Sequence, residues 1–187
     1  MTKSRTILGI DPGTNILGFG VIRINASSKA EYVDMGVLDL RKVADPYDKL
    51  NIIYEKVKAL CELHNPDDMA VESPFYAKNA QVIFKLGRAQ GSAIAAARSC
   101  GVPVFEYAPR KAKVAICGNG SASKEQVALM AERTLGINIE SKFLDATDAL
   151  ALAMCHFYQL TSPLTSGKPS SSWEKFLEAN PDRVNRG

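Results

Sequence analysis

Two apolar, strand-like runs each end abruptly on a carboxylate, and this pattern constrains the chain more than any other feature. Residues 6–11 read TILGID and residues 69–72 read MAVE. An ionised carboxylate inside a buried run is strongly disfavoured by desolvation. Each acid is therefore expected where its strand leaves the core, at the rim of a sheet. After Asp11 the sequence Pro12-Gly13-Thr14 turns the chain sharply. If the two strands are parallel neighbours, Asp11 and Glu72 emerge at the same edge.

The rest of the chain supplies that sheet. Val, Ile, Phe and Tyr enrichment predicts further strands over 18–24 and 31–40, and the short turns between them suggest an antiparallel meander. A helix follows over 46–64, with Leu50, Ile53, Tyr54, Val57, Leu60 and Cys61 at helical spacing. The strand ending on Glu72 comes next. It is followed by a helix over 80–99, a strand over 102–107 and a helix from Pro109 to about Cys117. Ser123 with Gln126 forms a capping box for a helix through Leu135, and a last helix runs from near Asp145 to Leu160. Strands joined by helical crossovers are parallel, with right-handed connections. The expected fold class is therefore α/β, a mixed five-stranded sheet flanked by helices. Residues 1–160 make one domain, and the Ser-, Pro- and Gly-rich 161–187 read as a flexible tail with one docked turn around Trp173.

Composition excludes several classes. The 187 residues suit one well-buried domain, and 46% hydrophobic with 23% charged residues is ordinary for a globular protein. No run approaches the roughly 20 apolar residues of a membrane helix, and the N-terminus is unlike a signal peptide, so the expected location is the cytoplasm. Cys61, Cys100, Cys117 and Cys155 are widely spaced with no Cys-x-x-Cys pair, which points to buried, reduced thiols rather than zinc or disulfides. Charge is uneven. Between Lys78 and Lys124 there are eight cations and a single acid, Glu106, so this stretch carries +7 of a net +3 and leaves −4 elsewhere. A phosphate-binding face beside an acidic cleft would have this distribution.

Asp145 and Asp148, three residues apart at the start of a helix, share one face. Alone they would serve as acids favouring the helix dipole. Together with Asp11 and Glu72 they form a set of hard oxygen ligands that suits Mg²⁺ or Mn²⁺. Two such ions, about 3.5–4 Å apart, can activate a water and stabilise the departing oxygen of a phosphodiester.

The motifs resemble a known family. Residues 7–14 (ILGIDPGT) with 18–22 (GFGVI), 72–75 (ESPF), 77–80 (AKNA), 86–91 (LGRAQG), 104–107 (VFEY), 120–124 (GSASK) and 145–151 (DATDALA) resemble, in order, the bacterial Holliday junction resolvases of the RuvC family. The resemblance covers about residues 6–160. It implies a ribonuclease-H-like fold and a homodimer that cuts two opposed strands of a four-way junction during recombination and DNA repair. It places the metal-binding acids at Asp11, Glu72, Asp145 and Asp148, and implies Mg²⁺ or Mn²⁺, two per subunit. It makes Phe75 a base-stacking aromatic, with Lys113 and Lys124 as basic residues beside the scissile phosphate. Lys78, Lys85, Arg88, Arg110 and Lys111 are assigned to general DNA-backbone binding. RuvA and RuvB, the branch-migration proteins, are the implied partners. Ser73 stands where the family often has glutamine, and residues from 161 onward have no counterpart.

Three other readings compete. An actin-like kinase also begins with strand-Asp-x-Gly-Thr, but needs two such domains around its nucleotide. A non-catalytic junction-binding module would keep the basic face and lose the acids. A related nuclease of RNA or DNA–RNA hybrids would keep the acids, and the Phe75 loop and basic stretch favour junction DNA over it.

Overall fold

The computed structural model describes residues 4–73, 80–139 and 144–161, except for the side chains of Leu144 and Asp145. Three strands, β1 (Arg5–Asp11), β2 (Ile16–Ile24) and β3 (Ala30–Asp39), form the expected antiparallel meander. After helix α1 (Pro46–His64) come β4 (Asp68–Glu72), α2 (Ala80–Ser99), β5 (Val104–Tyr107), α3 (Pro109–Cys117), α4 (Lys124–Leu135) and α5 (Leu144–Thr161). The strand order is β3-β2-β1-β4-β5, and β4 runs parallel to both β1 and β5. The mixed five-stranded sheet is as expected. The chain divides into two compact units, residues 1–157 and 158–187; of the second only the end of α5 is described, so the tail and the docked turn expected around Trp173 lie outside the described residues.

Local chemistry sets most element ends. Asp45 caps α1 by accepting from the Tyr47 and Asp48 N–H groups, and Asn65 closes it in the left-handed region at φ 44°. Ser123 and Gln126 make the capping box at α4. β5 begins later than the hydropathy suggests: Pro103 has no N–H for the ladder, although its carbonyl accepts from Met69 N. β2 begins two residues earlier than expected because Ile16 already pairs with Asp39.

Side-chain alternation along each strand separates two faces. Leu8, Ile10, Met69 and Val71 point to one face, where Ile53, Val57 and Leu60 of α1 and Ala89, Ala93 and Ala97 of α2 complete the core. Gly9, Gly20 and Ala70 point to the other face, beneath α5. A methyl group on Gly9 would lie 1.9 Å from the Ala149 carbonyl oxygen, and one on Gly20 would lie 2.8 Å from the Leu150 nitrogen. Only glycine lets the helix backbone come this close to the sheet. All four cysteines are free, but only Cys61 and Cys155 are buried; Cys100 and Cys117, near the ends of α2 and α3, are partly exposed.

Candidate active site

Parallel pairing and alternation place the first two acids. Ile10 is in register with Val71, so Asp11 and Glu72 leave neighbouring strands at the same edge. Asp11 shares the face of Gly9, and Glu72 that of Ala70, so both lie on the α5 side. Asp148 immediately precedes Ala149, the residue that touches Gly9, which brings it to the same place.

Electrostatics record the meeting. Burial raises the Glu72 carboxyl from 4.5 to about 7, and the charges of Asp11 and then Asp148 push it the same way. Lys113 and Lys124 oppose the shift. Four further residues expected in the site from sequence, Asp11, Asp148, Lys113 and Lys124, thus lie within electrostatic reach of Glu72. Lys124, in the first turn of α4, reaches Asp148 Oδ2 at 3.1 Å. Lys113 donates to the Ala122 carbonyl at 2.8 Å, just ahead of the Ser123 cap, so it also braces the turn that presents Lys124. It keeps two further N–H donors.

Asp145 is in the first turn of α5, nearly one turn before Asp148, and its side chain lies outside the description. Phe75 and Lys78 lie outside the described residues altogether. The remaining cations are dispersed. The Arg110 stem fills the space beside Gly120, and Lys111 stands 5.3 Å from the Tyr107 ring. Lys85 and Arg88 line a cleft of about 460 Å³ with Thr14, Asn15 and Lys49. This cleft starts three residues beyond Asp11, where Lys49 donates to the Thr14 carbonyl and to Asn15 Oδ1.

Two contributors were not foreseen. Buried Gln90 donates both amide hydrogens, to the Glu72 carbonyl at 3.1 Å and to Glu106 Oε2 at 3.0 Å, and so clamps the end of β4 to α2 and β5. Its one signal in the sequence is a polar residue among the buried alanines of α2. Lys49 gave none.

Among the described residues, no three His, Cys, Asp or Glu side chains are already gathered as a metal cage. The donor set nevertheless fits a hard cation. Three carboxylates converge, one is driven to hold a proton near neutrality, and another leans on a lysine. A divalent ion would take the place of that proton and that ammonium.

The crossover junction endodeoxyribonuclease RuvC family model matches residues 7–156. The RuvC of Bacteroides fragilis is 50% identical over 184 residues, 97% of each chain, so the match extends past residue 161, where the motifs had suggested no counterpart. That of Christiangramia forsetii is 47% identical over 98% of this chain and 95% of its own. The structure of Thermus thermophilus RuvC in complex with Holliday junction substrate matches with a TM-score of 0.74 and 30% identity, over 84% of this chain and 96% of that one. The fold is thus ribonuclease-H-like, as the sequence motifs implied.

Proposed function

Because the chain belongs to the RuvC family of crossover junction endodeoxyribonucleases, we propose that it resolves Holliday junctions with Asp11, Glu72, Asp145 and Asp148 as metal-holding carboxylates. The enzyme is a structure-selective DNA endonuclease of homologous recombination and repair. The observation that carries the assignment of residues is the crowding of Asp11, Glu72 and Asp148 at one sheet edge beside two lysines.

Mg²⁺, with Mn²⁺ as a substitute, suits the all-oxygen donor set, and two ions per subunit suit four carboxylates. When bound, the ions supply the charge that activates water and steadies the departing oxygen. The protein's own residues hold and orient. Glu72 and Asp11 come from strand ends, Asp145 and Asp148 from α5, and all four are tied to rigid elements. Lys124, which pairs with Asp148 in this structure, would offer its charge to the phosphate in the transition state when Asp148 holds an ion, and Lys113 would act from the adjoining helix.

Phe75, in the segment after Glu72, stacks on an unpaired base of the opened junction, which is worth about 1–3 kcal/mol. Lys85 and Arg88 carry the backbone along the cleft wall, with Lys78, Arg110 and Lys111 as weaker phosphate contacts. Asp11→Asn should bind a four-way junction within about threefold of the parent affinity and cut none of it, since phosphate contacts rather than the acids supply the affinity. Gel-shift and nicking assays on one preparation check this. Cleavage at the parent rate would overturn the assignment.

The enzyme acts as a homodimer through α2. Phe84, Gly87, Gly91 and Ala95 fall along one line of that helix. Phe84 is 70% exposed, and a methyl group at Gly87 or Gly91 would have nothing within 4 Å. An aromatic at the head of a flat strip suits the twofold contact of two such helices, which sets two equivalent sites on a roughly twofold junction. Gly91→Glu is expected to give monomers in sedimentation and to abolish paired cutting; a dimer surviving at low micromolar concentration would contradict it. Family membership also supports partnership with RuvA and RuvB. Action on chromosomal DNA supports a cytoplasmic location. No helix among the described residues is long and apolar enough to cross a membrane.

A further inference from the structure

The α5 side of β4 has an acid at each end. Glu72 closes the strand inside the site; Asp68 opens it, fully buried. Asp68 is not isolated. Arg5 of β1 donates to both its oxygens, Nε to Oδ2 at 2.5 Å and Nη2 to Oδ1 at 2.7 Å. Against it stands His156 of α5, 2% exposed, with Nε2 at 3.2 Å from Asp68 Oδ2. On the other side of the ring, Tyr107 of β5 has its hydroxyl 2.6 Å from His156 Nδ1, and the Phe105 ring packs at 4.4 Å. Burial depresses the histidine's proton affinity and holds the Tyr107 hydroxyl up at about 12. Both are therefore neutral near neutrality. The hydrogen placement that serves all partners has the Tyr107 hydroxyl donating to Nδ1 and Nε2–H facing the Asp68 carboxylate. The Nε2 contact is poorly aligned for a hydrogen bond, and Nε2 is the one buried side-chain polar atom left without a bond among the described residues. Its restraint on the ring is electrostatic.

Asp68 and Glu72 are separated by about 13 Å of extended strand. Asp148 and His156, two turns apart on α5, are separated by about 12 Å of helix. The helix therefore lies along β4 with two matched points: Asp148 beside Glu72 and His156 beside Asp68. Between these points the contact is the smooth floor made by Gly9 and Gly20 against Ala149, Leu150 and Ala153. That floor governs how closely α5 approaches the sheet. It offers few directional bonds to stop the helix from sliding or turning along its axis.

We propose that His156, seated between Asp68 and Tyr107, is a positioning residue that fixes the register of α5 on the sheet and so sets where Asp148 stands relative to Asp11 and Glu72. It touches neither substrate nor metal. The inference rests on the carboxylate metal site proposed above.

The test uses the full chain and measures three quantities: Mn²⁺ affinity of the metal-free protein by electron paramagnetic resonance, junction affinity in chelator, and kcat. His156→Leu removes both polar contacts. His156→Gln keeps an amide N–H near the position of Nε2 and restores one. The leucine variant is expected to weaken Mn²⁺ binding at least tenfold and to lower kcat in step, with junction affinity within about twofold. Glutamine should recover part of both losses. A leucine variant that melts earlier but binds Mn²⁺ as the parent does would overturn the inference, because the network would then serve stability alone. Should His156→Leu not fold, Tyr107→Phe removes a single oxygen and is read the same way, with an expected loss of about threefold in Mn²⁺ affinity. A parent protein that binds no Mn²⁺ would instead overturn the metal-site reading itself.

Discussion

Replacing Glu72 with glutamine is expected to stabilise the metal-free protein at pH 8 and to abolish its nuclease activity. The carboxyl sits beside Asp11 and Asp148 in a partly buried position, and its proton affinity is raised from 4.5 to about 7. The folded state therefore holds a proton that the unfolded chain has released between those two values. Over that window stability falls as pH rises, and above it the full penalty of an ionised Glu72 is present. At about 1.4 kcal/mol for each tenfold change in proton affinity the ceiling is near 3 kcal/mol. Partial exposure screens the charge and lowers the expected gain to roughly 1–2 kcal/mol. That corresponds to roughly 3–6 °C in melting temperature for a chain of this size. Below pH 4.5 the two proteins should melt alike, since both side chains are then neutral. Cleavage should fall at least about a thousandfold, some 4 kcal/mol of transition-state stabilisation. Melts of metal-free parent and variant at pH 4 and pH 8, with nicking assays at pH 8, check both halves. A variant less stable than the parent at pH 8 would contradict the crowded-carboxylate account. In the parent, divalent metal should reverse the penalty, and its affinity should weaken as pH falls below about 7, where the proton competes for Glu72.

Gly9→Ala is expected to be the most damaging single-methyl change in the sheet. The added carbon would lie 1.9 Å from the Ala149 carbonyl oxygen and 3.0 Å from the Ala153 nitrogen. Both obstacles are backbone, so no side chain can rotate away and α5 itself must lift. Overpacking of this kind destabilises by about 1–3 kcal/mol. The functional effect should be greater, because the helix that lifts carries Asp148. A displacement of about 1 Å in a reacting constellation lowers rates on the order of a hundredfold. Urea melts and single-turnover cleavage rates measure the two effects together. Parent-like cleavage by a folded Gly9→Ala protein would show that the seating of α5 does not set the site.

Much of this arrangement was legible before any coordinates. A strand ending on an acid is a local statement, so Asp11 and Glu72 could be placed at a sheet rim from TILGID and MAVE alone. The helical crossover before β4 gave its parallel direction, whereas its place beside β1 stood only as a condition until the sheet order β3-β2-β1-β4-β5 met it. The capping box at Ser123 and Gln126 was likewise local chemistry.

What could not be read involves partners far apart in the chain. Nothing around Gly9 announces a helix 140 residues later pressed against it, because a glycine that permits close approach looks like any other. Gln90 reads as a surface residue until its amide meets the Glu72 carbonyl. Asp68 gives no hint that Arg5 and His156 will enclose it. The neutral-pH proton on Glu72 arises from burial and from two acids on other elements. Lys113 was expected at the phosphate and also braces the turn before α4, a contact that exists only once α3 and α4 have packed.

The central claim is metal-dependent resolution of a four-way junction by a pair of equivalent sites. It is tested most directly by incubating the parent protein with a synthetic mobile junction, end-labelled on each strand, in Mg²⁺ and in chelator. The account predicts nicks at symmetric positions on two opposed strands, in Mg²⁺ only. Cleavage that persists in chelator, or that falls on a linear duplex as readily as on the junction, would contradict it.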